Sequence, residues 1–318
     1  MVAFSPASGA RRGESGSTKV SELAKRQETA HPLVEAGRLM VVPGVYDVLS
    51  AKIAESVGFP AVVLTGYGVS ASYLGEPDFG ILTQSEVLEV ARRVCQATGV
   101  RVIVDGDTGF GGGVNVQRMV RELVAMGAGG VILEDQRWPK RCGHMRGKDV
   151  IDAEEHAGKI RAAVEARGDA QFVITARTDA LETHGLAEAI RRAGLYKEAG
   201  ATVLFVEGPR TREQLRQIGE ALPPPLAVNL IEGGVTPMCS LDELHAMGFF
   251  SVGFVLSGLY AAARALRDTY CEIRRTGSTA GAGDRMMDFD EFNRLIGVER
   301  RYAEDERFKP AKDRPRGS

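Results

Sequence analysis

The feature that most constrains this chain is a pattern that recurs eight times from Leu39 onward: a short β-branched run, a loop carrying glycine or an acidic residue, then an amphipathic helical segment. The runs fall at 39–42, 61–64, 102–104, 131–133, 172–175, 203–206, 226–228 and 252–255. Each is continuously apolar rather than alternating, as expected of strands covered on both faces in a parallel sheet. Helical patterns lie between them, near 48–57, 84–97, 116–126, 153–166, 187–199, 212–221, 241–247 and 258–275. A doubly wound open sheet would produce the same alternation. Eight units in about 240 residues match a closed barrel, so the expected fold is an α/β (β/α)8 TIM barrel.

A further amphipathic helix is expected at 287–296, past the eighth. The expected organisation is one barrel domain over 21–308, flanked by disordered tails at 1–20 and 309–318. The first tail is rich in Ser, Gly and Arg and lacks the apolar core of a secretory signal; only Arg11 and Arg12 speak for a transit peptide. Lys and Arg total 40 against 42 Asp and Glu, with no long single-sign block outside the termini, so neither nucleic acid nor a membrane surface is an expected partner. No run approaches the length of a membrane span. The four cysteines are scattered without a CxxC pair, which argues against a disulfide framework or structural zinc and for a reducing, cytoplasmic setting.

In such barrels the chemistry sits at the C-terminal ends of the strands. There Asp105 and Asp107 follow the third run, Glu134 the fourth and Arg177 the fifth, with Asp78 in the loop after the second. Asp105, Asp107 and Glu134, with Asp78 nearby, form a set of hard oxygen donors without an obvious cation of their own. Their mutual repulsion calls for a divalent ion, Mg²⁺ or Mn²⁺ rather than zinc. Any one of them could instead cap a helix. Arg177 is suited to a bidentate grip on a substrate carboxylate, or else pairs with Asp179 or Glu207.

The loop after the fourth run carries Cys142 among Lys140, Arg141, His144 and Arg146. Neighbouring cations lower a thiol pKa, which would equip Cys142 as nucleophile or general acid. His144 has no second soft ligand near it and is read as a substrate hydrogen-bonding group. His156 and His245 fall in helical patterns and are read as surface or packing residues.

Five motifs in order carry a family resemblance: Asp105-Gly106-Asp107-Thr108-Gly109, Glu134-Asp135-Gln136, Lys140-Arg141-Cys142-Gly143-His144, Arg177-Thr178-Asp179-Ala180 and Asn229-Leu230-Ile231-Glu232-Gly233-Gly234. Together they resemble the isocitrate lyase/phosphoenolpyruvate mutase superfamily, over roughly Ser21 to Phe308. Gly75-Glu76-Pro77-Asp78-Phe79-Gly80 and the run from Trp138 to Lys148 point to the branch of petal death protein, oxaloacetate hydrolases and alkylmalate lyases. The resemblance implies a barrel whose eighth helix is exchanged between partners in a homodimer or homotetramer. It implies Mg²⁺ held, partly through water, by Asp78, Asp105, Asp107 and Glu134. Substrate contacts are implied for Thr65, Gly66, Tyr67, Arg177, Glu207 and Asn229, with Cys142, Gly143 and His144 brought in by a gating loop.

The implied activity is Mg²⁺-dependent carbon–carbon cleavage of a small dicarboxylate: oxaloacetate to oxalate and acetate, or an alkylmalate to a 2-oxo acid and a carboxylic acid. Cys142 would protonate the departing enolate, and Tyr67 or Glu207 would take the hydroxyl proton. Methylisocitrate lyases of the family carry Ser-Gly-Gly-Gly after strand two and proline near the end of strand eight. This chain has Thr65-Gly66-Tyr67-Gly68 and Ser257, and a small hydroxyl residue at that second place accompanies oxaloacetate hydrolysis. The rival readings are a 2-methylisocitrate lyase, a carboxyphosphonoenolpyruvate mutase-type enzyme, against which Cys142 argues, and a non-catalytic metabolite-binding barrel.

Overall fold

The computed structural model describes His31 and residues 36–310, so the expected tail at 1–20 lies outside the described residues, as does most of that at 309–318. Eight strands close on themselves in chain order: β1 (Met40–Val45), β2 (Ala61–Leu64), β3 (Arg101–Asp105), β4 (Gly130–Glu134), β5 (Val173–Thr178), β6 (Val203–Val206), β7 (Leu226–Asn229) and β8 (Phe249–Phe254). Neighbours pair in parallel throughout, and β8 returns to β1. The fold is the (β/α)8 TIM barrel that the eightfold pattern predicts. Val102, Val104, Val131, Leu133 and Ile174 are almost wholly buried, which is why these strands read as continuous apolar runs rather than alternating ones.

The helices are α1 (Val48–Ser56), α2 (Gln84–Ala97), α3 (Gly113–Ala125), α4 (Ala153–Arg167), α5 (Ala180–Glu198), α6 (Arg212–Ala221), α7 (Leu241–Ala246) and α8 (Ser257–Thr276). Their starts are written in local chemistry. Thr83 and Glu86 form a reciprocal capping box on α2, and Ser240 and Glu243 form another on α7.

Two differences from the expected boundaries matter for the site. β5 runs on to Thr178, which places Arg177 within the strand and pairs it with Glu134 of β4. α5 starts at Ala180 rather than near 187, because Gly185 adopts a non-helical φ of 82° and joins two helical pieces across a kink; periodicity registers only the second.

After α8 the chain forms α9 (Phe289–Ile296), the expected extra helix, and α10 (Val298–Phe308). None of α8, α9 and α10 contains a buried residue. Tyr260, Leu266, Tyr270 and Ile273 of α8 stand exposed. Among the described residues, no helix is long and apolar enough to cross a membrane.

Candidate active site

The C-terminal ends of the strands bring the expected residues to one mouth. Asp105, Glu134 and Asn229 are the last residues of β3, β4 and β7, and Thr65 and Glu207 directly follow β2 and β6. A cavity of 40 Å³ lies between them, walled by Thr65, Tyr67, Asp78, Asp105, Cys142, Gly143, His144, Arg177, Glu207 and Asn229. Val63, Ile132, Phe205, Ile231, Val255 and Leu256 supply its apolar surface. Gly66 contributes from behind: its N–H donates to Asp105 Oδ2 at 3.1 Å, and a Cβ there would crowd the carboxylates of Asp105 and Asp107.

Of the expected residues, Gly66, Asp107 and Glu134 stand behind the wall, and Ser257 is not brought to it. It opens α8 with its hydroxyl donating to Glu232 Oε1 at 2.5 Å.

On one side of the mouth carboxylates dominate. Asp107 takes a φ of 47°, a left-handed conformation that Asp tolerates better than most residues, with its N–H donating to Asp105 Oδ1 at 3.2 Å. The expectation that these acids lack a cation of their own is corrected here. The Lys140 ammonium reaches in from the thiol loop to stand 2.6 Å from Asp78 and 2.7 Å from Asp107, its side chain only 3% exposed. One ammonium does not balance the set. Burial, against the pull of Lys140, raises the Asp107 carboxyl to about 7, and burial drives Glu134 well above the usual carboxylate range.

With Lys140 in place, no group of three or more Asp, Glu, His or Cys side chains stands in metal-binding geometry among the described residues. The donors nonetheless fit a hard divalent ion held largely through water. They are all oxygens, Asp105 faces the cavity, and Glu134 Oε1 is buried without a hydrogen-bond partner.

On the opposite side charges are matched. Arg177 makes a bidentate pair with Asp179, at 2.8 and 3.0 Å, and stands 3.3 Å from Glu134 and 3.5 Å from Glu207. Of the two sequence expectations for Arg177, ion pairing is therefore what the ligand-free site displays, with the arginine still part of the cavity wall. Burial alone would raise Asp179, but Arg177 and Lys148 outweigh it and hold the carboxyl at about 2. Glu207 is likewise kept below its ordinary value by Arg177 and His144 in spite of burial.

His144 is no metal ligand in this arrangement. Its Nδ1 accepts from the Val235 N–H at 3.0 Å, which places the proton on Nε2, 2.8 Å from Glu207 Oε1.

The thiol loop spans residues 135–152 and is tied down along its length. Gln136 clamps Arg141 through both its amide atoms, at 2.8 and 2.9 Å, and pairs in an antiparallel bridge with Val150. The Cys142 N–H donates to the Asp78 carbonyl at 3.2 Å. Contrary to the expectation from neighbouring cations, the thiol is not acidified. Burial pushes it up to about 11, because Lys140 is consumed by the carboxylates and Arg141 turns to the Pro139 and Lys140 carbonyls and the Phe79 ring. A thiol that keeps its proton suits a general acid better than a nucleophile.

Sequence reading missed Lys148, whose only signal was its place in the loop motif, and the buried Asp135. Asp135 accepts from Thr178, the Asp179 N–H, Arg192 and Tyr196 beneath the mouth. His156, expected at the surface or in packing, is fully buried with its ring edge on Tyr196.

Comparison with known proteins identifies the family and the fold. The phosphoenolpyruvate phosphomutase family model matches residues 30–274. The chain is 50% identical over 285 residues to petal death protein of Dianthus caryophyllus, covering 89% of this chain and 90% of that one. It is 44% identical to 2,3-dimethylmalate lyase of Eubacterium barkeri, covering 84% and 93%. Oxaloacetate acetylhydrolase, solved with the inhibitor 3,3-difluorooxalacetate, superposes with a TM-score of 0.81 at 36% identity, covering 86% and 94%. Phosphonopyruvate hydrolase, solved with oxalate and Mg²⁺, does so with a TM-score of 0.77 at 31% identity, covering 86% and 95%.

Proposed function

Because the chain belongs to the isocitrate lyase/phosphoenolpyruvate mutase superfamily, whose members similar to it are lyases, hydrolases and mutases, we propose that it cleaves the C2–C3 bond of a small diacid. The preferred substrate is oxaloacetate as its hydrate, giving oxalate and acetate. The observation that carries this reading is a half-buried Cys142 thiol in the wall of one cavity with Asp78 and Asp105 on one side and Arg177 on the other.

Asp78, Asp105, Asp107 and Glu134 would hold Mg²⁺ or Mn²⁺, partly through water, and the ion would supply positive charge to the substrate's oxygens. The protein's own groups do the rest. Arg177, His144 and Asn229 hold the substrate oxygens. Glu207, kept ionised with its Oε2 lacking a hydrogen-bond partner, takes the proton of a C2 hydroxyl; Tyr67 is the other group in reach of that role. The C2–C3 pair leaves with C3, and Cys142 protonates it, giving acetate. The loop carrying Cys142 keeps water from the enolate meanwhile.

The likeness to a 2,3-dimethylmalate lyase favours alkylmalate cleavage as a competing activity. The test is turnover on a panel of oxaloacetate, 2- and 3-alkylmalates, methylisocitrate and a phosphonate, with EDTA and then Mg²⁺ added back. We expect metal-dependent oxalate release to lead. Preference for methylisocitrate, phosphonate rearrangement, or full activity in metal-free buffer would overturn this assignment. Exposed Tyr260, Leu266, Tyr270 and Ile273 on a helix without a single buried residue support exchange of α8 within a homodimer or homotetramer.

A further inference from the structure

We propose that Lys148 is the positioning residue for the thiol, joining the loop to the barrel through the same carboxylate that orients Arg177. This rests on the reading of Cys142 as the acid that protonates the departing enolate. An ammonium has three donors and no acceptor. Here it donates to the Gly143 carbonyl and to Asp179 Oδ1 at 3.1 Å, and its charge stands 3.1 Å from Glu182 Oε2, with the lysine side chain 2% exposed.

Two of those partners come from the start of α5 and the residue before it, and one from the loop itself. Lys148 thus binds the loop's own tip to the barrel rather than merely to solvent-facing side chains. Asp179 is not free to follow a moving lysine. Its N–H is held by Asp135 Oδ1 at 2.9 Å, and its carboxylate already grips Arg177. One fixed carboxylate therefore sets the place of both cations.

Gly143, pulled in by its carbonyl, lies so close that a Cβ there would overlap Arg177 Nη2 and Glu207 Cγ. Cys142 is its immediate neighbour. A buried ammonium without its partners is strongly disfavoured, so Lys148 is seated only when the whole set is made. Seating the lysine and seating the thiol are then one event.

The experiment uses the full-length chain and needs no substrate. Wild type and Lys148→Met are treated with N-ethylmaleimide, and alkylation of Cys142 is followed peptide by peptide, with buried Cys239 and exposed Cys271 as internal references. We expect Cys142 to react at least about tenfold faster in Lys148→Met while Cys239 stays within about twofold, well inside what losing one partner of a buried pair can do. On whichever diacid the enzyme turns over, kcat should fall by at least about tenfold with KM changing less, since the lost interaction places the acid rather than the substrate. Lys148→Arg should recover part of both.

If Cys239 rises in parallel, the Met variant has loosened as a whole, and Glu182→Gln, which spares Asp179, is read instead for a smaller selective rise at Cys142. Unchanged Cys142 reactivity in the readable variant would overturn the proposal. Were wild type inactive on every diacid while Lys148→Met still exposed Cys142 selectively, the substrate assignment would fail and the role of Lys148 would stand.

Discussion

The two sides of the barrel mouth are built from the same residue types at the same depth, yet their buried carboxyls shift in opposite directions. On the β3–β4 side, four carboxylates have the Lys140 ammonium, seated on Asp78 and Asp107, with Arg177 reaching only Glu134, and burial carries Asp107 up to about 7 and Glu134 upward too. On the β5–β6 side, Asp179 and Glu207 face Arg177, Lys148 and His144, and their carboxyls are pulled below their ordinary values. Exclusion of water is common to both, so the difference is the count of cations. A side in carboxylate surplus gains from one more positive charge. A matched side has no charge to spare: Arg177 stays seated on Asp179 and can offer a substrate carboxylate only the donors that stand more loosely against Glu207 and Glu134. That asymmetry is what a site needs to bind a metal at one end of a diacid and an arginine at the other.

The thiol stands between the two sides, and removing it should have the largest effect. Cys142→Ala should lower kcat by about 10²- to 10⁴-fold, the usual contribution of a general acid, with oxalate affinity nearly intact because neither side is touched. Steady-state kinetics beside calorimetric titration of oxalate separates the two quantities. An unchanged kcat would take the cysteine out of the chemistry.

Asking each side about the metal alone sharpens the contrast. Mg²⁺ without substrate should raise the melting temperature of the wild type, as any ligand specific to the folded state does. Asp105→Asn should weaken that response by at least about 10- to 100-fold in the Mg²⁺ concentration needed, the range found even for groups that only support metal ligands. Arg177→Lys should leave it within a few-fold while weakening oxalate binding, since lysine cannot reproduce the guanidinium fork. Equal loss in both variants would mean that the two sides are one electrostatic unit and that the contrast drawn here is false.

How much of this was legible in the chain depends on whether a signal is local. Strand ends were legible because a parallel strand is apolar until it reaches the mouth, and the first acidic or basic residue after the run marks that point: Asp105, Glu134 and Arg177 were found this way. Partners made by closure of the barrel were not. Lys140 reads as a cation beside Cys142, but its charge belongs to Asp78 and Asp107, which other loops deliver. The direction of the thiol's pKa was misjudged for the same reason: proximity in sequence favoured the cations, whereas burial, a tertiary property, decided it. For the eighth helix, periodicity gave only its existence near 258–275; its exchange with a partner chain was implied by the family resemblance, not by any pattern in the helix itself.

The smallest effect, and the most informative about substrate, is expected at Ser257, which lies on neither side. It is the first residue of α8, and its hydroxyl donates to Glu232 while Val255 and Leu256 beside it line the cavity. A hydrated 2-oxo acid presents two hydroxyls on C2 where a 2-hydroxy acid presents one. The additional donor costs about 1–3 kcal/mol if left without an acceptor, roughly tenfold to a hundredfold in rate. Ser257 stands outside the cavity wall, so to meet it the start of α8 has to bring its hydroxyl from Glu232 past Leu256 into the mouth, and proline has no hydroxyl to bring. Proline is well tolerated in the first turn of a helix, so Ser257→Pro should fold and bind Mg²⁺ as the wild type does. Oxaloacetate cleavage should then fall by at least about tenfold more than cleavage of any alkylmalate. Parallel loss of both activities would show that Ser257 only supports the start of α8, and the preference for the hydrated oxo acid would have to come from Thr65, Tyr67 or Asn229 instead.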